Sequence, residues 1–434
     1  MIKQRYNEFR TREDGAMTAL GLFMSLSIIV IGGLAIDVAN AMMARTQLQV
    51  AADAAAHAAL YKREFETADD SKAFALALAE VNMPSGKYGS VMEADDIVFG
   101  VWDAAAQVFT PDSSSTTAVM IDSSRIASRN NSVGTYFLKF VGLGSWDVRT
   151  QSVFETYRPW CFREGFLGNE RVDIQSNNAY INGFCIHSND HVEVNSNNDF
   201  QTGVIVSMPD KNMLVIPNSG FATNLGLYAA LRDSAYQMRI VNRLQDIIAD
   251  LEADRGDYRP HYIKLGIKPM TARNNVVMSD FKEKAVNTAY CSGNKTLKFA
   301  NGASLRNVVL VTDCKITFGN NMSLENVVIA SWNTDAKSIS APNGLRIGEN
   351  DDCEPFGGSQ VLTMGGIDIA AGLQMFGGQL IAKGDISFAA EANGIQGASI
   401  IAAGEIDDTS NSNMGLCGSG MEGNFKAEFF RLAI

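Results

Sequence analysis

The N-terminal apolar segment is the feature that most constrains this chain. From Ala16 to Ile36 no side chain is charged, and nearly all are small or aliphatic. A helix rises ~1.5 Å per residue, so a helix over this segment can cross the ~30 Å hydrocarbon core of a bilayer. The segment predicts an uncleaved membrane anchor. A cleavable secretory signal is the competing interpretation, but its apolar core is only ~7 to 15 residues long.

The helix is predicted to continue beyond the membrane. Between Asp37 and Phe65 there is no Pro or Gly, and good helix formers follow one another, so one helix could reach about 75 Å. Alanines cover nearly every face of 41–59, and such a helix outside lipid needs neighbours. We therefore predict a cytoplasmic stub at 1–14 and a transmembrane and Ala-rich extended helix at 15–65.

Basic residues indicate the orientation of this anchor. Lys3, Arg5, Arg10 and Arg12 precede the apolar segment, and the first basic residue after it is Arg45. By the positive-inside rule, the N-terminus is cytoplasmic and the rest of the chain lies on the outer side of the membrane.

Gly32 and Gly33 lead into Asp37, and Arg45 and an Ala-rich run that contains Ala52 and Ala55 follow. In these features the helix resembles the N-terminal helix of TadE/TadG-like proteins of the Flp (Tad) pilus assembly system. The resemblance is strong over 15–62, fades by about 156 and does not include the C-terminal half. Small residues also allow close helix approach, so either a partner helix packs here or the glycines are ordinary transmembrane content. The residues that carry the resemblance and are candidates for helix packing and anchoring are Gly32, Gly33, Ala35, Asp37, Arg45, Ala52 and Ala55.

One departure bears on what the resemblance implies. Pilin-like members of such systems carry a Gly followed, after four residues, by a Glu, which marks the site of the prepilin peptidase. Here Leu20 occupies the position that corresponds to that Glu after Gly15. The chain therefore resembles a TadG-type accessory anchor more than a polymerising pilin, and processing at Gly15 is not expected.

Charge and cysteines limit the classes of function. A net charge of -12 and a pI near 4.9 argue against nucleic-acid binding. All six cysteines follow the apolar segment, which suits disulfides in an oxidising periplasm, and 15 pairings are open. No C-x-x-C is present, so no redox motif, metal site or cofactor is predicted. The candidate disulfide cysteines are Cys161, Cys185, Cys291, Cys314, Cys353 and Cys417.

A small α+β domain is predicted at 66–160. Its helix is Asp69–Val81, with Asp70 or Ser71 as the N-cap. The apolar segment 132–143 is predicted to be helical. The predicted strands are Ile97–Trp102, Thr117–Asp122 and Trp146–Thr156.

Internal repeats dominate the remainder of the chain. Val172–His187 aligns without gaps on Val192–Ser207, and Lys298–Thr312 aligns on Thr317–Ser331. A looser pair is 377–386 over 397–406. Short alternating apolar runs at a period of about 20 residues, broken by Asn and Gly, predict a parallel β-helix (solenoid) at 161–424. A β-sandwich with accidental similarity is the alternative.

The predicted β-helix is interrupted by an amphipathic helix. Leu225–Glu252 shows apolar residues at helical spacing, so we predict a helical insertion at 223–254 that packs on the β-helix flank or on a partner. The last residues, 425–434, are predicted to be a C-terminal tail.

Chemically active residues are sparse. His187 and His191 fall in strand-end and turn sequence, so no shared metal is predicted. Acidic clusters at 351–354 and at Asp407–Asp408 resemble carboxylates that act as acid or base in polysaccharide enzymes, but turn sequence solvates carboxylates without any such role. We predict no catalytic residues and no enzyme.

These inferences combine into one functional hypothesis with alternatives. The resemblance implies a non-enzymatic TadG-like accessory protein of Tad/Flp pilus assembly, single-pass in the bacterial inner membrane. The repeats add the expectation of a periplasmic β-solenoid arm for docking or scaffolding. Its predicted partners are the inner membrane, other Tad assembly proteins or minor pilins, and further copies of itself as a homo-oligomer. The alternative is an anchored or secreted β-helix protein, at the cell surface in one version, that acts on or binds polysaccharide as a glycan lyase, hydrolase or adhesin.

Overall fold

The computed structural model describes residues 14–256, 258–291, 296–352 and 354–434, apart from the side chains of 14–16 and 393. Most of the predicted cytoplasmic stub and Cys353 therefore lie outside the described residues. The chain divides into two compact units. The smaller contains the residues up to Tyr157 together with Glu428–Ile434, and the larger is Arg158–Ala427.

The smaller unit is built on one long helix, α1, which runs from Asp14 to Arg63 without interruption. This confirms the continuous helix expected from the sequence. Its apolar first half is exposed, whereas from Ala44 onward one face of alanines and leucines is buried against β-strands. In the part of the chain that the structure describes, α1 is the one helix long and apolar enough to cross a membrane.

The remainder of the smaller unit packs on the second half of α1. Helix α2 follows at Ala68–Asn82 and α3 at Ser85–Tyr88. The side chain of Thr67 accepts the amide of Asp70 and caps α2, so the prediction of Asp70 or Ser71 as N-cap was wrong. The strands are β1 Ile97–Asp103, β2 Val108–Pro111, β3 Ala118–Arg125, β4 Val133–Gly134, β5 Ser145–Trp146 and β6 Val148–Tyr157.

The main sheet of this unit is antiparallel and has five strands, in the order β2, β1, β3, β6 and then the C-terminal strand Phe429–Leu432. Part of the predicted C-terminal tail at 425–434 is therefore a strand of this sheet. The predicted helix at 132–143 is also wrong. Because β4 pairs with β5, the residues between them form a loop whose only helical turn is a 3-10 turn at Leu138–Val141.

The larger unit contains one sheet of 23 strands whose described pairings are parallel. Its buried core is aliphatic and aromatic, as the alternating repeats predicted. The strands, β7 to β29 in order, are Gly165–Gly168, Val172–Ile174, Ala179–Tyr180, Cys185–Ser188, Val192–Val194, Asp199–Phe200, Ile205–Met208, Leu231–Asp233, Ile267–Pro269, Val286–Ala289, Thr296–Lys298, Ser304–Thr312, Lys315–Thr317, Ser323–Ser331, Ile339–Ala341, Arg346–Ile347, Gln360–Thr363, Ile367–Phe376, Gln379–Ala382, Ile386–Gln396, Ser399–Ala402, Ile406–Asp408 and Asn413–Gly415. The C-terminal strand of the smaller unit is β30.

The repeats predict the strand register correctly. Val192 lies opposite Val172, Thr312 opposite Ser331 and Ile386 opposite Ile406, each as the gapless alignments require. Backbone conformation explains why asparagine recurs at equivalent positions of the repeats. Asn177 and Asn197 adopt positive φ, which asparagine tolerates better than most side chains.

The order in which the repeats stack was not predicted. Strands β27, β28 and β29 pair with β7, β8 and β9. The last set of three strands in this unit therefore lies directly on the first set, and we call each such set one turn. From that first turn the stack continues through β10–β12 to β13 and β14. On the other side of the last turn it continues back through β25 and β23 to β15. The chain therefore enters and leaves this unit in the middle of the stack.

The predicted helical insertion is broken into short pieces, so the expectation of one long amphipathic helix was wrong. The pieces are α4 Leu227–Ala230, α5 Arg239–Asn242 and α6 Leu244–Glu252. The break arises because β14, which follows α4, pairs with β13 and extends the stack. Helix α6 packs on β16, β18, β20 and β23 and buries its apolar stripe there. Helix α6 thus packs on strands of its own unit.

Two disulfides are described in the larger unit, Cys161–Cys185 and Cys291–Cys314, and Cys417 is also disulfide-bonded. Single 3-10 turns complete the description of both units, at Ala94–Asp96, Ala127–Arg129, Trp160–Phe162, Lys211–Met213, Gly220–Ala222 and Met278–Asp280.

Candidate functional site

The carboxylate of Asp37 holds a loop against α1 at the end of the apolar segment. Asp37 directly follows that segment, yet it is only 1% exposed. Its two oxygens accept the backbone amides of Tyr136 (2.5 Å), Phe137 (3.0 Å) and Leu138 (2.7 Å). Bonds from amides to an ionised acceptor are stronger than neutral ones. Asp37 therefore fixes the loop between β4 and β5, residues 135–144, against α1.

Gly33 completes this contact one helical turn earlier. A Cβ on Gly33 would lie 2.5 Å from the Cβ of Phe137, so the ring can approach only a glycine. A Cβ on the adjacent Gly32 would meet nothing within 4 Å. Asn40 adds a third contact, because its side-chain amide donates to the carbonyl of Gly134 at 3.0 Å. We call Gly33, Asp37, Asn40 and loop 135–144 the exit junction.

The structure separates the seven residues predicted for packing and anchoring into three groups. Gly33 and Asp37 contact the loop of their own chain, and Ala52 and Ala55 are fully buried in the core of the smaller unit. The other three, Gly32, Ala35 and Arg45, are exposed on α1. Arg45 lines an open groove of about 340 Å³, whose other lining residues are Val38, Ala41, Met42, Trp146, Asp147, Val148 and Arg149.

Sequence reasoning missed the loop half of the exit junction. Backbone amides are the donors to Asp37, and backbone amides carry no residue-type signal. The available signal was the spacing of Gly33 and Asp37, because residues i and i+4 share one helix face. An aspartate at the end of an apolar segment, on the same face as a glycine, indicates a close backbone approach at that face.

A cluster of carboxylates lies on the large sheet where its first and last turns meet. Arg171 bonds to Asp173 (2.9 Å), Glu193 (3.2 Å) and Glu405 (2.9 Å), and Asp407 is the strand partner of Asp173. Burial raises the pKa of Asp173, and the nearby charge of Glu193 raises it further. Burial likewise raises the pKa of Asp407, with Glu405 adding to the effect. One guanidinium thus faces four carboxylates.

Asp408, the neighbour of Asp407 in the sequence, points into the core. Burial raises the pKa of Asp408 to about 7, although the hydroxyl and amide of Ser410 and the hydroxyl of Tyr180 bond to it and partly oppose the rise. The predicted acidic pair at 407–408 is therefore split between a surface cluster and the interior. In the other predicted cluster, the carboxylate of Asp351 accepts the amide of Glu354, as in an ordinary turn.

The two histidines considered for a metal lie in different surroundings. His187 is buried and bonds to Ser207 (2.8 Å) and Asn189 (3.0 Å), and burial lowers its pKa. His191 pairs with the neighbouring Asp190. A further group of metal-ligand types, Cys291, Asp313 and Cys314, contains a disulfide, so its sulfurs are bonded to each other.

The protein is thus of a class with two parts. A small α+β unit contains one apolar N-terminal helix, and a large unit of parallel strands follows it in the chain. Residues 165–418, more than half of the chain, match the family described as Domain of unknown function (DUF7867), and the chain belongs to that family. Residues 15–70 match the Flp pilus-assembly TadE/G-like family, which confirms the resemblance found in the sequence of α1. No curated protein and no solved structure matches the chain.

Proposed function

We propose that this protein is a non-enzymatic accessory component of the Tad/Flp pilus machinery, held in the inner membrane by the first half of α1. The match of residues 15–70 to the TadE/G-like family supports the association with that machinery. The exposed apolar half of α1 supports the anchor, because a helix surface of this length and composition is stable in lipid and not in water.

The exit junction is the observation that carries the proposal of an uncleaved anchor. Removal of the apolar segment as a signal would take Gly33 away and leave Asp37 at or near a new terminus. The amides of Tyr136, Phe137 and Leu138 would then lose the fixed, ionised acceptor that holds the loop against α1. The small unit is therefore complete only when the apolar segment stays attached.

The larger unit is proposed to be a periplasmic β-solenoid that serves as a docking arm. Three parallel ladders with a register shift of about 20 residues per turn support this architecture. The partner surfaces proposed for the arm are other Tad assembly proteins, minor pilins or a second copy of this chain. The orientation follows from the basic residues that precede α1.

The anchor is tested by fractionation of cells that produce the full chain, with mass spectrometry of the N-terminus in each fraction. Intact N-terminus in the inner membrane is the expected result. A new N-terminus at Ala16 in sheared surface material would contradict it and indicate a processed, pilin-like subunit.

The docking arm is tested by a deletion that respects the units. Tyr157 pairs with Phe429 across β6 and β30, so a short linker can join Tyr157 to Glu428 after removal of 158–427. We expect this variant to enter the membrane and to lose Tad-dependent surface attachment. Normal attachment would show that the arm has no role in assembly. A deletion from 165 to the C-terminus is a poor substitute, because it also removes β30 from the small unit.

A glycan-acting enzyme is the second candidate, and the carboxylate cluster around Arg171 is the observation that favours it. Groups whose pKa is raised by burial and by like charge are candidates for general acids. The test is cleavage of cell-wall glycan and exopolysaccharide by the full chain and by the D173N and D407N variants. Cleavage that disappears in both variants would support the enzyme and contradict the non-enzymatic proposal.

A further inference from the structure

The loop of the exit junction presents an apolar surface beside the anchor. Tyr136 is 57% exposed, Phe140 78%, Val141 62% and Leu143 54%. Adjacent large apolar side chains with this exposure mark an interaction surface more often than a bare solvent-facing surface. The loop contains no acidic residue, and its one cation, Lys139, lies over the ring of Phe140 at 5.6 Å from the centroid.

The position of the loop along α1 indicates what covers this surface. Phe137 packs against Gly33, which lies inside the apolar segment, and Asp37 holds the next amides one turn further on. If α1 spans a bilayer over Ala16–Ile36, the loop lies at the depth where hydrocarbon meets headgroups. Aromatic side chains are enriched at this depth, and a lysine stem can extend from it toward water.

The loop backbone is suited to a poorly hydrated environment. The amides of Thr135, Phe140, Gly142 and Leu143 donate to carbonyls within the loop, and the hydroxyl of Thr135 donates to the carbonyl of Leu143. Asp37 satisfies three more amides. Unsatisfied backbone groups cost several kcal/mol in lipid, so these bonds lower the penalty for contact with the membrane.

We propose that residues 136–143 form a second membrane contact, inserted into the outer interface of the same bilayer that α1 spans. This inference rests on the proposed anchor. The occupant of the surface is lipid, because the loop is continuous with the apolar surface of the helix and is held at the end of that surface. Two contacts fix the tilt and rotation of α1, which a single helix leaves free.

The test is quenching of added tryptophans by lipids with brominated acyl chains. The full chain is reconstituted into phosphatidylethanolamine/phosphatidylglycerol vesicles, and each variant is compared with the parent, which has 4 tryptophans. F140W and Y136W report on the loop. V108W is the matched control, an exposed residue on β2. Val108 lies far from the exit junction, because the loop that follows β2 contacts Arg63, about 39 Å along α1 from Asp37.

A fourth variant, F23W, reports on the span itself. We expect quenching of the F23W indole and, for F140W and Y136W, quenching at least roughly twofold greater than for V108W. Loop reporters that match V108W while F23W is quenched would overturn the loop contact and leave the anchor intact. Lack of quenching in F23W as well would overturn both proposals. Use of two loop reporters guards against a single substitution that disturbs the loop.

Discussion

Gly32 and Gly33 are adjacent in the sequence but differ in what an added methyl group would contact. We predict that Gly33→Ala displaces loop 135–144, because the new Cβ would overlap Phe137, and overpacking of this kind costs about 1–3 kcal/mol. The matched control is Gly32→Ala, which adds the same group where nothing lies within 4 Å. Amide hydrogen exchange in lipid nanodiscs measures the outcome. Equal protection of Tyr136–Leu138 in both variants would contradict the role given to Gly33.

Asp408 makes the stability of the larger unit depend on pH. Its pKa of about 7 in the folded state lies above the ordinary value of 3.8. Between about pH 4 and pH 7 the folded state therefore keeps a proton that the unfolded chain has already released. The contribution of Asp408 to the free energy of unfolding is therefore greatest at the acidic end of this window. It falls as the pH rises toward 7, by on the order of 4 kcal/mol at about 1.4 kcal/mol per pKa unit.

Urea unfolding of the full chain at several pH values measures this effect, with Asp408→Asn as the comparison. The variant cannot ionise at this position, so its stability should change less over the same window. Asp173 and Asp407 have raised pKa values of the same sign and leave some dependence in the variant. Identical slopes for the parent and the variant would show that Asp408 is ionised in the folded protein.

At the scale of single elements, α6 packs its stripe on the unit's own strands. We predict that Ile248→Ala lowers the free energy of unfolding by roughly 2–4 kcal/mol, because Ile248 is fully buried. Gln245→Ala, on the exposed face of the same helix, is the control and should change stability little. Urea unfolding compares the two. A negligible effect of Ile248→Ala would indicate that the stripe is available to a partner protein.

The elements that the sequence predicts well are those whose signal is local or periodic. The register of the large sheet follows from repeated residues, since Val172 and Val192 occupy equivalent positions in successive turns. The prediction of one helix at 225–252 was wrong because a long-range contact overrides the local pattern. Leu231 fits a helical stripe, but its strand pairing with Val206 decides its conformation. The sequence also did not predict the loop half of the exit junction, because the donors to Asp37 are backbone amides about 100 residues away.

At the scale of the whole chain, local patterns could not predict that the chain enters the larger unit in the middle of its stack of strands. The repeats indicate which residues occupy equivalent positions in a turn, but they do not indicate which turns are neighbours. The buried asparagines show how the junction between distant turns is made. Asn198 accepts the amide of Asn178 within one repeat pair, and Asn178 in turn accepts the amide of Ser412 from the last turn. The same side-chain bond thus joins neighbours that are close and neighbours that are distant in sequence.

This stacking order predicts a specific crosslink. Asp173 and Asp407 are opposite each other on neighbouring parallel strands, and strands of one sheet lie ~4.8 Å apart, within the range of Cα separations that a disulfide bridges. The double variant D173C/D407C in the full chain should therefore form a new disulfide, detected by peptide mapping without reduction. The control E193C/D407C places the thiols two strands apart, since Asp173 lies between them, and should not crosslink. If the turns were instead stacked in chain order, the first and last turns would lie at opposite ends and neither pair would form.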